Sequence, residues 1–169
     1  MSTPTGHEAP FEYHRMMLSD AMRLSAWERA IRSVVRPGTV VLDAGTGTGV
    51  LAMLAAKRGG KVYAVESTSV VDIARLLVHE NGLSNRIEVL HTDLADLELP
   101  ELVDIVLCDY VGRLLPDGIM HRAVGAATRW LKPGGQFLPG NIRLMAAPVG
   151  DIYIPQAEFF RMPMYGLNL

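Results

Sequence analysis

Three glycines alternate with other residues in the segment 43–49, which directly follows a short apolar run. Gly45, Gly47 and Gly49 permit a tight turn with positive φ angles, and they let a ligand come close to the backbone. A helix that begins after such a loop presents backbone N–H groups to an anion or a nucleotide. Val50 stands where the dinucleotide fingerprint needs glycine or alanine, and no Lys-Ser/Thr pair follows as in a phosphate loop. The loop therefore predicts a nucleotide-like ligand of another class, with a purely structural turn as the alternative.

Acidic residues follow three further apolar runs. Glu66 lies 21 residues after Gly45, where a carboxylate can accept both hydroxyls of a ribose. Alternatively, Glu66 is only a solvated carboxylate at the end of a strand. Asp93 is placed to meet the amino group of adenine, or alternatively to cap a turn. Asp109 can orient or deprotonate an N–H or O–H acceptor. Because ligands of open α/β sheets bind at the carboxyl ends of the strands, these residues predict one site.

Strands and helices alternate along the chain. Apolar, β-branched runs predict strands, and helix-forming segments that end at glycine or proline predict helices. The predicted strands are residues 39–42, 61–65, 86–90, 104–108, 136–139 and 142–147, and the predicted helices are residues 50–58, 70–80 and about 117–131. The last helix is expected to stop at the Lys-Pro-Gly-Gly of residues 132–135. Runs without alternation suit strands covered on both faces, so we predict an α/β fold with a doubly wound, mostly parallel sheet and an antiparallel edge.

The two ends of the chain differ from this pattern. Apolar residues at helical spacing between Met17 and Val35 predict one amphipathic helix, with Ser19 or Asp20 as possible caps. Residues 1–150 are predicted to form the ligand-binding domain. Residues 151–169 form an apolar tail without a clear period, which is predicted to pack against this domain or a second chain.

Composition excludes several classes of protein. The chain has 169 residues, 49% hydrophobic and 20% charged, which is ordinary for one globular domain. A net charge of −2 makes nucleic acid an improbable partner, and no apolar run is long enough to cross a membrane. Met1 to Pro10 shows no secretory signal, which predicts a cytoplasmic protein. Cys108 is the only cysteine and no Cys/His cluster has zinc spacing, so we expect no metal.

Several of these stretches together resemble a known family. VLDAGTGTGVLAMLAAKRGGKVYAVE, DIVLCDYVG and WLKPGGQFLP are similar to successive motifs of class I S-adenosylmethionine-dependent methyltransferases, which have a Rossmann-like fold. Within that superfamily the sequence is most similar to protein arginine methyltransferases, from about His14 to Ala147. The segment from His14 to Arg23 resembles the helix that covers the cofactor in that family. The resemblance implies S-adenosylmethionine as cofactor and S-adenosylhomocysteine as product.

The resemblance also implies roles for particular residues. Arg23 would pair with the methionine carboxylate of the cofactor, and Met17 would pack near its sulfonium. Asp109 would act on the acceptor, with His14 as an auxiliary base. The other residues implied in cofactor binding are Asp43, Gly45, Thr46, Gly47 and Gly49 in the loop, Glu66 and Ser67 at the ribose, and Asp93 and Leu94 at the adenine, with Asp109 nearby.

Two departures from the family affect the predicted acceptor. The family has two glutamates in the loop after the fourth strand, whereas this chain has Asp109 and Gly118 at those positions, with Asp117 one place earlier. The family's catalytic part also continues into a β-barrel, which would begin near residue 165. We therefore predict a methyltransferase for an N, O or C nucleophile of a small molecule, with a protein acceptor as the alternative.

Three other interpretations stay open. The chain is alternatively a truncated protein arginine N-methyltransferase or a non-catalytic, cofactor-binding partner subunit. A nicotinamide oxidoreductase is disfavoured by Val50. The apolar tail, on the side where the family has its barrel, predicts a homodimer whose partner helps to close the site.

Overall fold

A computed structural model describes residues 11–110 and 118–143 of the chain. In these ranges strands and helices alternate as the sequence predicts. The helices are α1 (Phe11–Ser19), α2 (Ala21–Val34), α3 (Val50–Lys57), α4 (Val71–Glu80) and α5 (Gly118–Thr128), and the strands are β1 (Val40–Ala44), β2 (Lys61–Glu66), β3 (Ile87–His91), β4 (Val103–Leu107) and β5 (Leu131–Leu138). Strands β1 to β4 and helices α3 and α4 agree with the predicted elements to within one or two residues.

The five strands form one parallel sheet in the order β3-β2-β1-β4-β5. Strand β1 lies in the centre and is buried along its whole length. The strand order reverses between β1 and β4, which is where open α/β sheets bind their ligands. The fold is that of Rossmann-like class I methyltransferases, as predicted.

Hydrophobic clusters cover both faces of the sheet. On one face α2 and α3 pack against Val41, Val62 and Ile105. On the other face α5 packs against Leu42 and Val106, with further side chains from the chain between β3 and β4. Burial on both faces explains why the strands read as continuous apolar runs rather than alternating ones. No helix of the described residues is long and apolar enough to cross a membrane.

The N-terminal region differs from the prediction of one helix. Two helices, α1 and α2, are separated at Asp20, whose backbone has φ −79° and ψ 85°. The Asp20 side chain accepts a hydrogen bond of 2.9 Å from the backbone N–H of Arg23, which caps the N-terminus of α2. A single helical period runs through both segments, so hydrophobic spacing alone did not reveal the break.

The C-terminal end of the sheet also differs from the prediction. Helix α5 ends at Thr128, and the Lys-Pro-Gly-Gly of residues 132–135 lies inside strand β5 rather than ending a helix. The pairing of β4 with β5 shifts register between Val103 and Ile105, which accommodates the extra residues. Strand β5 is parallel to β4, so the predicted antiparallel edge does not lie at residues 136–138. Most of the last predicted strand, residues 144–147, and the tail lie outside the described residues.

Candidate functional site

The glycine loop joins β1 to α3 at the carboxyl edge of the sheet. Gly45, Gly47 and Gly49 have φ angles of 77°, 55° and 84°, which residues with a Cβ atom rarely adopt. The N–H groups of Gly45 and Thr46 donate to the carbonyl of Val65 at 3.0 and 2.8 Å. The loop is therefore fixed to the end of β2, with its three glycines in conformations that the sequence anticipated.

Asp43 lies under this loop and is only 1% exposed. One carboxylate oxygen accepts from the hydroxyl of Thr46 at 2.6 Å and from the N–H of Ala52, in the first turn of α3, at 3.0 Å. Burial raises the pKa of Asp43 from its ordinary 3.8 to about 7, although the two donors act in the opposite direction. Asp43 and Thr46 thus hold the loop against α3, and their predicted contact with the cofactor stays a prediction.

Glu66 lies at the end of β2, beside the loop, and is 7% exposed. Its two carboxylate oxygens accept hydrogen bonds of 2.9 Å, one from the N–H of Gly47 and one from the N–H of Thr68. A carboxylate has about four acceptor sites, so each oxygen can accept one further hydrogen bond. Ser67, the neighbouring residue, is exposed. This geometry fits a carboxylate that accepts two ribose hydroxyls while its orientation is fixed by the backbone.

Two rings lie over the glycines. Tyr110 follows β4, and its ring lies directly against Gly45, in the space that a Cβ atom there would take. His14, from α1, has ring atoms 3.1 Å from the place of a Cβ atom on Gly47. Burial, and then the nearby charge of Glu66, raise the pKa of Tyr110 to about 12, so its hydroxyl stays protonated. Sequence reasoning missed Tyr110, although an aromatic residue directly after Asp109 was the available signal.

Arg23 connects the N-terminal helices to the end of β4. Its guanidinium forms an ion pair with Asp109 and donates to the carbonyl of Met17 at 3.1 Å. The side chains of Arg23 and Asp109 are 22% and 17% exposed, so the pair is partly shielded from water. The structure brings Met17, Arg23 and Asp109 together, and it pairs Arg23 with a protein carboxylate. The predicted role of Arg23 towards the cofactor stays a prediction.

The segment after β3 forms a compact turn. The carboxylate of Asp93 accepts from the N–H of Ala95 at 2.8 Å, and its carbonyl accepts from Asp96 at 3.1 Å. Asp93 is exposed, whereas Leu94 beside it is buried in the second hydrophobic cluster. Asp93 therefore does cap a turn, which was the alternative interpretation. A carboxylate with a second oxygen can also accept from an adenine amino group.

These features fit the cofactor that the resemblance implies. The glycines at 45 and 47 let the rings of Tyr110 and His14 lie close to the loop backbone, Glu66 offers oriented acceptors, and Asp93 offers a further acceptor after β3, two strands from the centre. Arg23 has five N–H groups, of which two donate to other residues that the structure describes, so others can meet an anionic group. At the position of the family's second glutamate, Gly118 begins α5, and Asp117 lies outside the described residues.

Comparison with known proteins identifies the same family. A family model described as a methyltransferase domain matches residues 41–135. Protein arginine N-methyltransferase 6 of Danio rerio is 39% identical over 145 residues, covering 83% of this chain and 42% of that protein. The chain spans about two fifths of the length of the curated relatives that it matches.

Solved structures agree with this result. Protein arginine methyltransferase 10 of Arabidopsis thaliana superposes with a TM-score of 0.71 and 38% identity, covering 76% of this chain and 38% of that one. The PRMT1 enzyme-prozyme complex of Trypanosoma brucei with AdoHcy superposes with a TM-score of 0.75 and 27% identity, covering 92% of this chain and 51% of that one.

Proposed function

Since the chain belongs to the S-adenosylmethionine-dependent methyltransferases, we propose that it transfers a methyl group to a guanidinium nitrogen of an arginine side chain in a protein. The observation that carries this proposal is that Asp109 already binds a guanidinium, that of Arg23, beside the glycine loop. Carboxylates bind guanidinium groups with matching planar geometry. The sequence alone favoured a small-molecule acceptor, and the arginine methyltransferase relatives now favour the protein acceptor.

The cofactor side of the site is assigned to the residues around the glycine loop. S-adenosylmethionine supplies an electrophilic methyl group on a sulfonium when it is bound. We assign the ribose hydroxyls to Glu66, whose orientation is fixed by Gly47 and Thr68. Asp93 and Leu94 border the adenine, and Arg23 meets the methionine carboxylate with N–H groups that Asp109 and Met17 leave available. Glu66 at the end of β2 and Asp93 after β3 lie where open α/β sheets bind ligands, and Arg23 reaches the same site from helix α2.

On the acceptor side, Asp109 would orient the incoming guanidinium. Holding the nucleophile in line with the methyl group is the main contribution to rate, worth up to about 7–11 kcal/mol in favourable systems. Attack by a guanidinium nitrogen would form the new N–C bond as the bond between the methyl group and the sulfonium sulfur breaks. The electron pair of that bond would stay on sulfur, giving S-adenosylhomocysteine, and the methylated guanidinium would then lose one proton. His14 lies over Gly47 and is assigned as the auxiliary base that takes this proton. Arg23 holds Asp109 in place during these steps.

A methyl-transfer assay with matched peptides tests this proposal. An arginine-rich peptide and the same peptide with every arginine replaced by lysine are incubated with S-adenosylmethionine that carries a tritiated methyl group. We expect transfer to the arginine peptide alone, and a decrease in kcat of at least about a hundredfold in Asp109→Asn, because an uncharged amide orients a guanidinium poorly. Equal labelling of both peptides would contradict guanidinium methylation. Cofactor binding without any turnover would favour the non-catalytic partner subunit.

A small-molecule acceptor is the second candidate, and Gly118 favours it. A guanidinium held by two carboxylates needs an acidic residue at that position, whereas the helix α5 begins there with a residue that has no side chain. The same tritium assay with a protein-free cell extract tests this alternative. Labelling of a small molecule, but of neither peptide, would favour small-molecule methylation over methylation of protein arginine.

A further inference from the structure

We propose that Arg129 is a positioning residue for adenine recognition, because it holds the turn that carries Asp93. The proposal rests on the assignment of Asp93 to the adenine. Arg129 lies between α5 and β5, outside the residues that the sequence motifs single out. Its Nη2 atom donates towards the carbonyl oxygens of Leu94, Ala95 and Leu97, at 2.9, 2.6 and 3.3 Å.

The three carbonyl groups point to one place at the end of the turn. Carbonyl oxygens that converge carry partial negative charge and repel each other unless a cation or donors lie between them. The first and third residues of the turn are linked through the hydrogen bond from Ala95 N–H to the Asp93 carboxylate. Ala95 thus contacts both side chains: its carbonyl accepts from the Arg129 guanidinium, and its N–H donates to the Asp93 carboxylate. A change at Arg129 therefore reaches Asp93 directly.

The guanidinium also lies near an aromatic ring, although Arg129 as a whole is exposed. Its central carbon lies 5.9 Å from the centre of the Trp130 ring, and Trp130 packs against the second hydrophobic cluster. Strand β5 begins one residue later, at Leu131, and pairs with Val103 of β4. The turn after β3 is thereby connected to β5, at the other edge of the sheet, through one side chain. Lysine would supply a charge there but not the planar fork of donors.

Two cofactor products that differ only in the base provide the test. S-adenosylhomocysteine has the amino group of adenine, whereas S-inosylhomocysteine has a carbonyl oxygen there, which a carboxylate repels. We expect the parent protein to bind the adenine compound at least about tenfold more tightly by calorimetry. In Arg129→Ala this preference should fall to less than about threefold, with Arg129→Lys between the two. Because both residues act through one turn, Asp93→Ala should add little to Arg129→Ala.

Arg75→Ala is the matched control, since Arg75 lies on α4 in an exposed ion pair with Asp72 at 3.1 Å. That variant should keep the full preference for adenine. An unchanged base preference in folded Arg129→Ala or Arg129→Lys would overturn the proposal while leaving the assignment of Asp93 intact. If neither the parent protein nor Asp93→Ala distinguishes the two bases, the assignment of Asp93 is wrong and the proposal fails with it. Circular dichroism of each variant separates these results from a loss of folding.

Discussion

The buried carboxyl group of Asp43 makes the stability of the ligand-free protein depend on pH. Its pKa is raised from 3.8 to about 7 by burial, with the charges of Asp109 and Glu66 contributing in the same direction. Between these two pH values the folded state holds a proton that the unfolded state has released. The free energy of unfolding therefore decreases by about 1.4 kcal/mol for each pH unit as the pH rises from about 4 to about 7. Above pH 7 the contribution is lost.

The substitution Asp43→Asn isolates this contribution. The amide oxygen can still accept from Thr46 and Ala52, which both donate to one oxygen of the present carboxylate. The amide does not titrate, so the variant lacks the pH dependence of Asp43 while keeping that of every other group. The difference in the free energy of unfolding between the two proteins should change by about 2 kcal/mol between pH 5 and pH 7, in favour of the variant at the higher pH.

Urea denaturation followed by circular dichroism, at half-unit steps from pH 5 to pH 8.5, measures this difference. Using the difference between two proteins removes the contributions of other carboxylates and histidines, which are common to both. We expect the difference in the free energy of unfolding to change steadily with pH up to about pH 7 and to be constant above it. A difference that is constant over the whole range would refute the reasoning, because it would mean that Asp43 is ionised in the folded protein throughout.

Three further predictions concern the cofactor and the tail. Glu66→Ala should weaken binding of S-adenosylhomocysteine by about 1–3 kcal/mol in calorimetry, since the ribose loses its charged acceptor. An unchanged affinity in a folded variant would mean that Glu66 does not bind the ribose. Gly47→Leu should abolish that binding, because a side chain at a φ of 55° strains the loop and removes the close approach of a ligand to its backbone. Gly82→Leu, with a similar φ of 67° and nothing within 4 Å of a Cβ atom there, should keep it. We propose that residues 151–169 close the acceptor side of the site in a homodimer. Removal of these residues should then give a lower mass by light scattering and slower turnover. A shortened variant that shows neither change would exclude this role.

The strands and the glycine loop could be predicted because their signals are local. Residues of β1 and β2 are buried on both faces, so their apolar runs report their structure directly. The positive φ values of Gly45, Gly47 and Gly49 follow from the need for a tight turn between β1 and α3. Glu66 was found because it ends β2, next to that turn. In these places the neighbouring sequence determines the geometry.

Other features depend on contacts between distant residues, and the sequence did not reveal them. The pairing of Arg23 with Asp109 joins residues 86 positions apart. The bonds from Arg129 to the turn after Asp93 span more than 30 positions. The Lys-Pro-Gly-Gly of residues 132–135 is a stop signal in isolation, and only pairing with β4 makes it part of a strand.

The most direct test of the account is a calorimetric titration of the purified protein with S-adenosylhomocysteine and, separately, with NAD. The glycine loop, Glu66 and the turn at Asp93 are assigned together to an adenosyl ligand with a methionine tail, and Arg23 is assigned to the carboxylate of that tail. We predict saturable binding of S-adenosylhomocysteine with one site per chain, weakened in Arg23→Ala, and no measurable binding of NAD. Binding of NAD alone, or of neither compound to a folded protein, would contradict the account.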